Sequence, residues 1–432
     1  MTRNEAARVL ILTPQFPYPP HQGTTIRNYN LIAGLARRHE VHLLSFGDPE
    51  QSQGTPLDSL CRSVQVVRAP QRTTRRRLAG LLFSRLPDMA QRLPSAEFRA
   101  ALGATLERED PDVVQVEGIE LAQYLLQVAN RRTGRERPRL IFDDHNAEYV
   151  LQQRACETDA RHIWPWGRGG EEPDHPEAPG TMSRGRRLAG AVYSLIQWRR
   201  LRGYERKTCL AADRVVAVSE ADAGALRALV PGLEPVVVPN GVDVDLYSAP
   251  ISPLVGRPGP EPCDLVFTGK MDFRPNVDAA LWFAHQVLPL IRREAPDVRF
   301  WIVGQNPHPR LEPLSTDAAV ELTGWVEDVR PYIAGAAAYV VPLRIGGGTR
   351  LKVLEAMAMG KAIVSTTLGC EGFEVVGGQE LLIADEPAEF AAAVLRLLAR
   401  PELRERLGRA ARRFAGSRYD WRMIVPKLER IL

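Results

Sequence analysis

Lysine is scarce in this 432-residue chain: only Lys207, Lys270, Lys352, Lys361 and Lys427 stand among 56 basic residues, and the remainder are arginine. Against 52 acidic residues the formal net charge is +4, spread over both halves, so no nucleic acid is expected as a partner. Cysteine offers no scaffold. Cys61, Cys156, Cys209, Cys263 and Cys370 are odd in number and scattered, with no CxxC pair, which speaks against a disulfide framework and a zinc site. No run approaches the roughly 18 apolar residues of a spanning helix, and MTRNEAARVLIL passes into a strand without a cleavage pattern. The expectation is a cytoplasmic protein. The glycine-rich stretches have neither the Walker spacing nor GxGxxG, so ATP and NAD are not the natural ligands.

What is present is most concentrated in residues 342–360, PLRIGGGTRLKVLEAMAMG. Residues 337–343 read as a buried strand, Gly346, Gly347 and Gly348 let the backbone approach a ligand, and Thr349 is placed to cap a helix starting near Arg350. A helix start of this kind presents unpaired N–H groups to an anion. Arg350 and Lys352 put two cations in a first turn where the macrodipole disfavours them, and an anionic ligand accounts for both. Glu355 follows roughly 7–8 Å further along the helix, a suitable distance for the sugar of a nucleotide whose phosphates sit at the helix start. By themselves the same residues also fit an ordinary turn followed by a Lys352–Glu355 pair on a solvated face.

Short apolar runs alternate with helical patterns at 8–14, 40–46, 64–69, 112–118, 139–145, 213–220 and 235–241, then again at 264–270, 298–304, 320–326, 337–343, 362–367 and 381–385. Strands that are apolar throughout, with helices between them, predict an α/β protein: two Rossmann-like, doubly wound parallel-sheet domains facing a cleft. The expected division is 1–250, a Pro/Gly-rich linker at 251–262, a second domain at 263–415 and a closing helix at 416–432. An insertion at about 156–187, rich in Pro, Gly and acidic residues, reads as a loop. After it, residues 184–207 form a helix with Leu188, Val192, Leu195 and Ile196 on one side and Arg186, Arg187, Arg199, Arg200, Arg202 and Arg206 elsewhere. That apolar stripe either packs on the sheet, as in most amphipathic helices, or lies on an anionic membrane, an option to which Trp164 and Trp166 contribute. The basic stretch at 72–92 allows the same two readings.

The ordered set VVAVSEADAGAL (215–226), VVVPNGVDVDLY (236–247), LVFTGKMDFRPNVDAALWF (265–283), GWVEDVRPYIAGAAAYVVPL (324–343) and GGTRLKVLEAMAMGKAIVST (347–366) resembles the GT-B glycosyltransferases of family 4, the group 1 glycosyl transferases. Within them it is most similar to sugar transferases of bacterial exopolysaccharide clusters, of the PEP-CTERM-associated type. The resemblance covers nearly the whole chain. It implies a retaining transfer from a nucleotide diphosphosugar to a lipid-linked or saccharide acceptor, without a cofactor or metal. It also allows peripheral contact with the inner face of the plasma membrane.

On this resemblance Lys270, after Gly269, takes the place of the family's first phosphate-binding arginine, while Pro275-Asn276 stands where a second cation is usual. Arg350 and Lys352 are the substitutes. Glu355 matches the acid that holds the ribose hydroxyls, and Gly347 replaces the family's other acid, so the N–H groups of Gly347, Gly348 and Thr349 are expected to bind sugar or phosphate. In the first domain, residues 14–30 resemble the family's glycine loop, with Gly23 near the diphosphate and Arg27 on the following helix. His145 is expected to contact the donor sugar from the carboxyl end of a parallel strand. Asp143, Asp144 and His145 together would make a metal-ligand set, but consecutive strand residues point to opposite faces and do not all converge. Two rivals stand beside the transferase: a sugar-nucleotide epimerase of the same fold, and a non-catalytic protein that binds nucleotide or membrane.

Overall fold

A computed structural model describes residues 6–71, 80, 84–131, 137–161, 184–248, 250–251, 259–346 and 349–432. Gly347, Gly348, Trp164, Trp166 and most of the expected linker and insertion therefore lie outside the described residues. The chain divides into two compact units, residues 1–238 with 428–432, and residues 239–427.

The first unit is built on seven strands: β1 (Arg8–Thr13), β2 (Glu40–Gly47), β3 (Ser63–Arg68), β4 (Val113–Glu117), β5 (Arg139–Asp144), β6 (Arg214–Ala217) and β7 (Val236–Val237). They pair in the order β3-β2-β1-β4-β5-β6-β7, all parallel, with Val9 opposite both Val41 and Val113. Burial of nearly every residue in β1, β2 and β4 requires cover on both faces, which the intervening helices supply: α1 (Gly23–Leu35), α2 (Ala96–Glu109), α3 (Ala122–Ala129), α4 (Glu148–Arg161), α5 (Arg184–Ala211) and α6 (Glu220–Leu229). Phe46 of β2 stacks on Phe98 of α2 at 4.2 Å, and Phe98 meets Tyr124 of α3 at 4.5 Å. Chain order reverses between β1 and β4. In a sheet of this type, that is where the carboxyl-end loops diverge and ligands bind.

Helix α5 differs from its sequence reading. Its buried positions are Ser194, Gln197, Leu201, Tyr204, Glu205, Thr208 and Cys209, whereas Val192 and Leu195 are 48% and 36% exposed. Helical spacing is respected, but the inward stripe is largely polar. Gln197 explains part of this, because its side-chain oxygen accepts the Asp88 N–H at 2.7 Å.

The second unit repeats the plan with six strands: β8 (Leu265–Thr268), β9 (Phe300–Val303), β10 (Val320–Gly324), β11 (Ala338–Val341), β12 (Ile363–Ser365) and β13 (Leu382–Ile383). Their order is β10-β9-β8-β11-β12-β13, again parallel throughout, with the reversal between β8 and β11. Its helices include α7 (Arg274–Trp282), α8 (Leu351–Ala358), α9 (Pro387–Ala399), α10 (Pro401–Arg418) and α11 (Trp421–Glu429), the last of which runs into residues grouped with the first unit. The start of α8 corrects the expected cap. Arg350, in extended conformation, takes the capping position without a side-chain cap, and the Thr349 hydroxyl is buried with no hydrogen-bond partner among the described residues. The helix is held instead by its apolar face, on which Val353, Leu354, Ala356, Met357 and Ala358 are all fully buried.

Candidate active site

Chemistry gathers at the strand-order reversal of each unit. In the first, Arg27 of α1 is only 1% exposed, and its Nη2 donates to both oxygens of Asp143 at the end of β5, at 2.8 and 3.1 Å. His145, two residues on, is bonded through Nε2 to Oε2 of Glu117 at 2.8 Å, and Gln115 donates to the other Glu117 oxygen at 2.5 Å. Burial alone would lower the His145 pKa. The hydrogen bond and charge of Glu117, with the charge of Asp143, outweigh it and hold the ring above an ordinary imidazole. Burial and Asp143 in turn push the Glu117 carboxyl up, against His145 and Arg27.

His145 lines a pocket of about 130 Å³ with Pro14, Thr24, Gly118, Glu120, Asn146 and Glu148 among its other walls. Gly118 has φ +80°, a backbone region that favours glycine, and a Cβ there would approach the His145 ring to 3.6 Å and a Glu120 oxygen to 3.1 Å. Gly23 opens α1 at the exposed start of that helix, with Gln22 as its cap. Glu148 is pushed up to about 8 by burial and by Glu120 and Glu205.

Among the described residues, Glu117, Asp143 and His145 form the one cluster whose ligand atoms lie within 4.8 Å of one another. Asp144, which the alternation of strand residues sets apart from its neighbours, is not in that cluster, and its pKa is driven up by burial and by Glu205. The cluster is poorly suited to a metal, since a guanidinium already holds both Asp143 oxygens and the Glu117–His145 bond occupies a ligand atom of each. Asp243 and Asp245 have the spacing of a metal-binding acid pair, yet Asp243 accepts the N–H groups of Asp245 and Leu246, and Asp245 pairs with Arg422 at 3.1 Å.

In the second unit the key side chain is Lys352. Its Nζ donates to Oδ1 of Asn276 on α7 at 2.8 Å and lies 4.2 Å from the Phe267 ring centroid, while Nδ2 of Asn276 donates to the Lys270 carbonyl at 2.9 Å. Burial first, and then the charge of Arg350, bring the Lys352 pKa down to about 7, against the opposing pull of Glu355. A Cβ on Gly269 would come within 2.7 Å of both the Asn276 amide and Lys352 Nζ, so only glycine fits under this bridge. Lys270 itself is exposed, 3.5 Å from Asp272, and the Arg350 guanidinium lies against Gly346. Glu355, one turn beyond Lys352, is half-buried. Burial raises its pKa, and a hydrogen bond from Tyr247 and the charge of Lys352 oppose the rise.

A model described as Glycosyltransferase Family 4 matches residues 21–246, over half of the chain, and one described as Glycosyl transferases group 1 matches residues 262–400. The chain belongs to glycosyltransferase family 4. Within its reach, it is 30% identical over 210 residues to a phosphatidyl-myo-inositol mannosyltransferase of Mycobacterium tuberculosis (strain H37Rv), covering 46% of this chain and 54% of the relative. It is 26% identical over 141 residues to an uncharacterized 44.6 kDa protein in the cps region of Klebsiella pneumoniae, covering 31% and 36%. The chain thus spans between about a third and a half of the length of these curated relatives. The crystal structure of Anabaena Alr3699/HepE in complex with UDP-glucose superposes with a TM-score of 0.61 at 15% identity, covering 98% of each chain. That likeness is one of fold: two parallel-sheet α/β domains of GT-B type.

Measured against this family 4 framework, sequence reading passed over Glu117, Tyr247 and the role of Asn276. Glu117 left a trace, as an acid closing the otherwise apolar run before Gly118. Asn276 was seen only as the absence of a cation, although its side chain is what holds Lys352 in place. Tyr247 left none, because its bond to Glu355 joins residues more than a hundred positions apart.

Proposed function

We propose that this family 4 protein is a retaining, metal-independent hexosyltransferase. It moves a sugar from a nucleotide diphosphosugar to a lipid-linked or saccharide acceptor in bacterial exopolysaccharide or other cell-surface glycan synthesis. The observation that carries the proposal is Lys352, a half-buried amine fixed by Asn276 beside Gly269, with Glu355 one turn along the same helix. When the glycosidic bond breaks, negative charge grows on the departing diphosphate, and cations already in place stabilise it without reorganising. Lys352, Arg350 and Lys270 supply that charge, Glu355 accepts from the ribose hydroxyls, and His145 faces the transferred sugar. The phosphatidyl-myo-inositol in one relative's name and the cps region of the other support a lipid-linked or polysaccharide acceptor.

The test is a panel of nucleotide diphosphosugars with lipid-linked and saccharide acceptors, assayed in excess chelator. Transfer with retention is expected, and Glu355→Ala should weaken nucleotide binding by about 1.5–3 kcal/mol per lost bond while the protein stays folded. Undiminished nucleotide affinity in that variant rejects the ribose assignment, and loss of transfer in chelator rejects metal independence. The epimerase reading draws on Glu148, whose raised pKa suits an acid–base carboxyl in the His145 pocket. Conversion of a nucleotide sugar with no acceptor present would select it.

A further inference from the structure

We propose that Glu117 is a positioning residue: it fixes His145 as the Nε2–H tautomer, so that Nδ1 is presented as an acceptor for a hydroxyl of the sugar ligand. The inference rests on the reading of the His145 pocket as a sugar site. Its basis is a chain of hydrogen bonds with little freedom. Glu117 is 1% exposed, and its Oε1 is taken by the Gln115 amide at 2.5 Å. Its Oε2 meets His145 Nε2 at 2.8 Å. A carboxylate only accepts, so the proton of a neutral imidazole must sit on Nε2. Nδ1 has no hydrogen-bond partner among the described residues, and it lies beside Gly118, where a Cβ would approach it to 3.6 Å and a Glu120 oxygen to 3.1 Å. Of the other charged groups, Arg27 is bonded to Asp143, and Glu120 and Glu148 line the pocket with His145, so the assignment concerns the neutral ring. Orientation of an imidazole by a buried acid is a general way to decide which nitrogen works.

Glu117→Gln tests the idea because the replacement is isosteric but not neutral for the proton. Gln115 donates to the oxygen at position 117, so in the variant the side-chain amide nitrogen faces His145 and must donate to Nε2. The ring is then forced to carry its proton on Nδ1, and the acceptor offered to the pocket becomes a donor. In protein labelled with ¹⁵N-histidine, titrated to a pH at which the ring is neutral and with the His145 signals assigned by their loss in His145→Ala, the wild type should show the Nε2–H pattern and Glu117→Gln the Nδ1–H pattern. With the nucleotide sugar that the panel identifies, kcat of Glu117→Gln should fall at least tenfold, with KM changed less than threefold and the unfolding midpoint near wild type. An Nδ1–H tautomer in the wild type overturns the proposal, as does wild-type turnover in a variant whose tautomer has switched. Should the wild type transfer no sugar at all, the functional reading fails, while the tautomer measured in the free protein still decides the role of Glu117.

Discussion

Lys352 is a residue whose environment asks for a ligand. In the free protein it is held near pH 7 by burial and by Arg350, so at pH 8 only roughly one molecule in ten carries the charge. A nucleoside diphosphate beside it favours the ammonium form and raises its pKa. Binding at pH 8 should therefore take up close to one proton, and affinity should fall as pH rises above about 7. At pH 5.5 the lysine is already charged, and its contribution to uptake vanishes. Calorimetry with UDP in buffers of different ionisation enthalpy reads this directly, and Lys352→Met should abolish the pH 8 uptake. An absence of uptake in the wild type would place the phosphates away from Lys352. The positions of Lys352 and Glu355 in one motif were legible from the sequence because their spacing is local. The Asn276 bridge was not, since it depends on the starts of two helices, α7 and α8, being brought together by the β8–β11 pairing.

Elements were read reliably where each strand is buried on both faces, since an uninterrupted apolar run has few other homes. The start of α8 slipped by one residue because the hydroxyl of Thr349 turns inward and leaves the cap to Arg350. Helix α5 was misjudged for a different reason: periodicity assigns apolar residues to the inside, whereas Gln197 and Glu205 are bound there by backbone N–H groups. Glu205 caps α4 from a distance, accepting the N–H groups of Glu148 at 2.8 Å and Tyr149 at 3.0 Å. Burial first, and then the charges of Glu120 and Glu205, raise Glu148 from 4.5 to about 8. The native state then binds more protons than the unfolded chain between these values, so this group's contribution to stability declines as pH rises through that window. Glu148→Gln removes the penalty. It should stabilise the protein at pH 9 by roughly 1–2 kcal/mol, a figure discounted for partial exposure and for the favourable helix N-terminus, with little gain at pH 5. Denaturant unfolding at the two pH values checks this, and an equal gain at both would show that Glu148 ionises normally.

For the molecule as a whole, the question is how a protein with so modest a net charge would reach the lipid-linked acceptor proposed for it. No helix among the described residues is long and apolar enough to cross a membrane. The face of α5 left outside by its polar packing runs Val192, Leu195, Arg199, Arg202, Arg206 and Leu210 at spacings of three and four, and every one of these residues is exposed. That stripe sets two apolar side chains ahead of three arginines, an arrangement that would suit the interface of an anionic bilayer as well as bulk water. A basic residue near such a surface contributes about 1 kcal/mol, so three give roughly a hundredfold in affinity, and the overall +4 charge adds a weaker, longer-ranged attraction. Binding should follow electrostatic rules. The protein should sediment with phosphatidylglycerol-containing vesicles at low salt, remain free with phosphatidylcholine alone, and be released at ionic strengths where the screening length drops to about 3–4 Å. The triple variant Arg199→Glu, Arg202→Glu, Arg206→Glu should lose at least tenfold in vesicle affinity while keeping its unfolding midpoint and its transfer to a soluble saccharide acceptor. Vesicle binding that survives both the triple variant and high salt would mean that α5 is an ordinary solvated helix and that membrane contact, if the acceptor demands it, is made elsewhere on the surface.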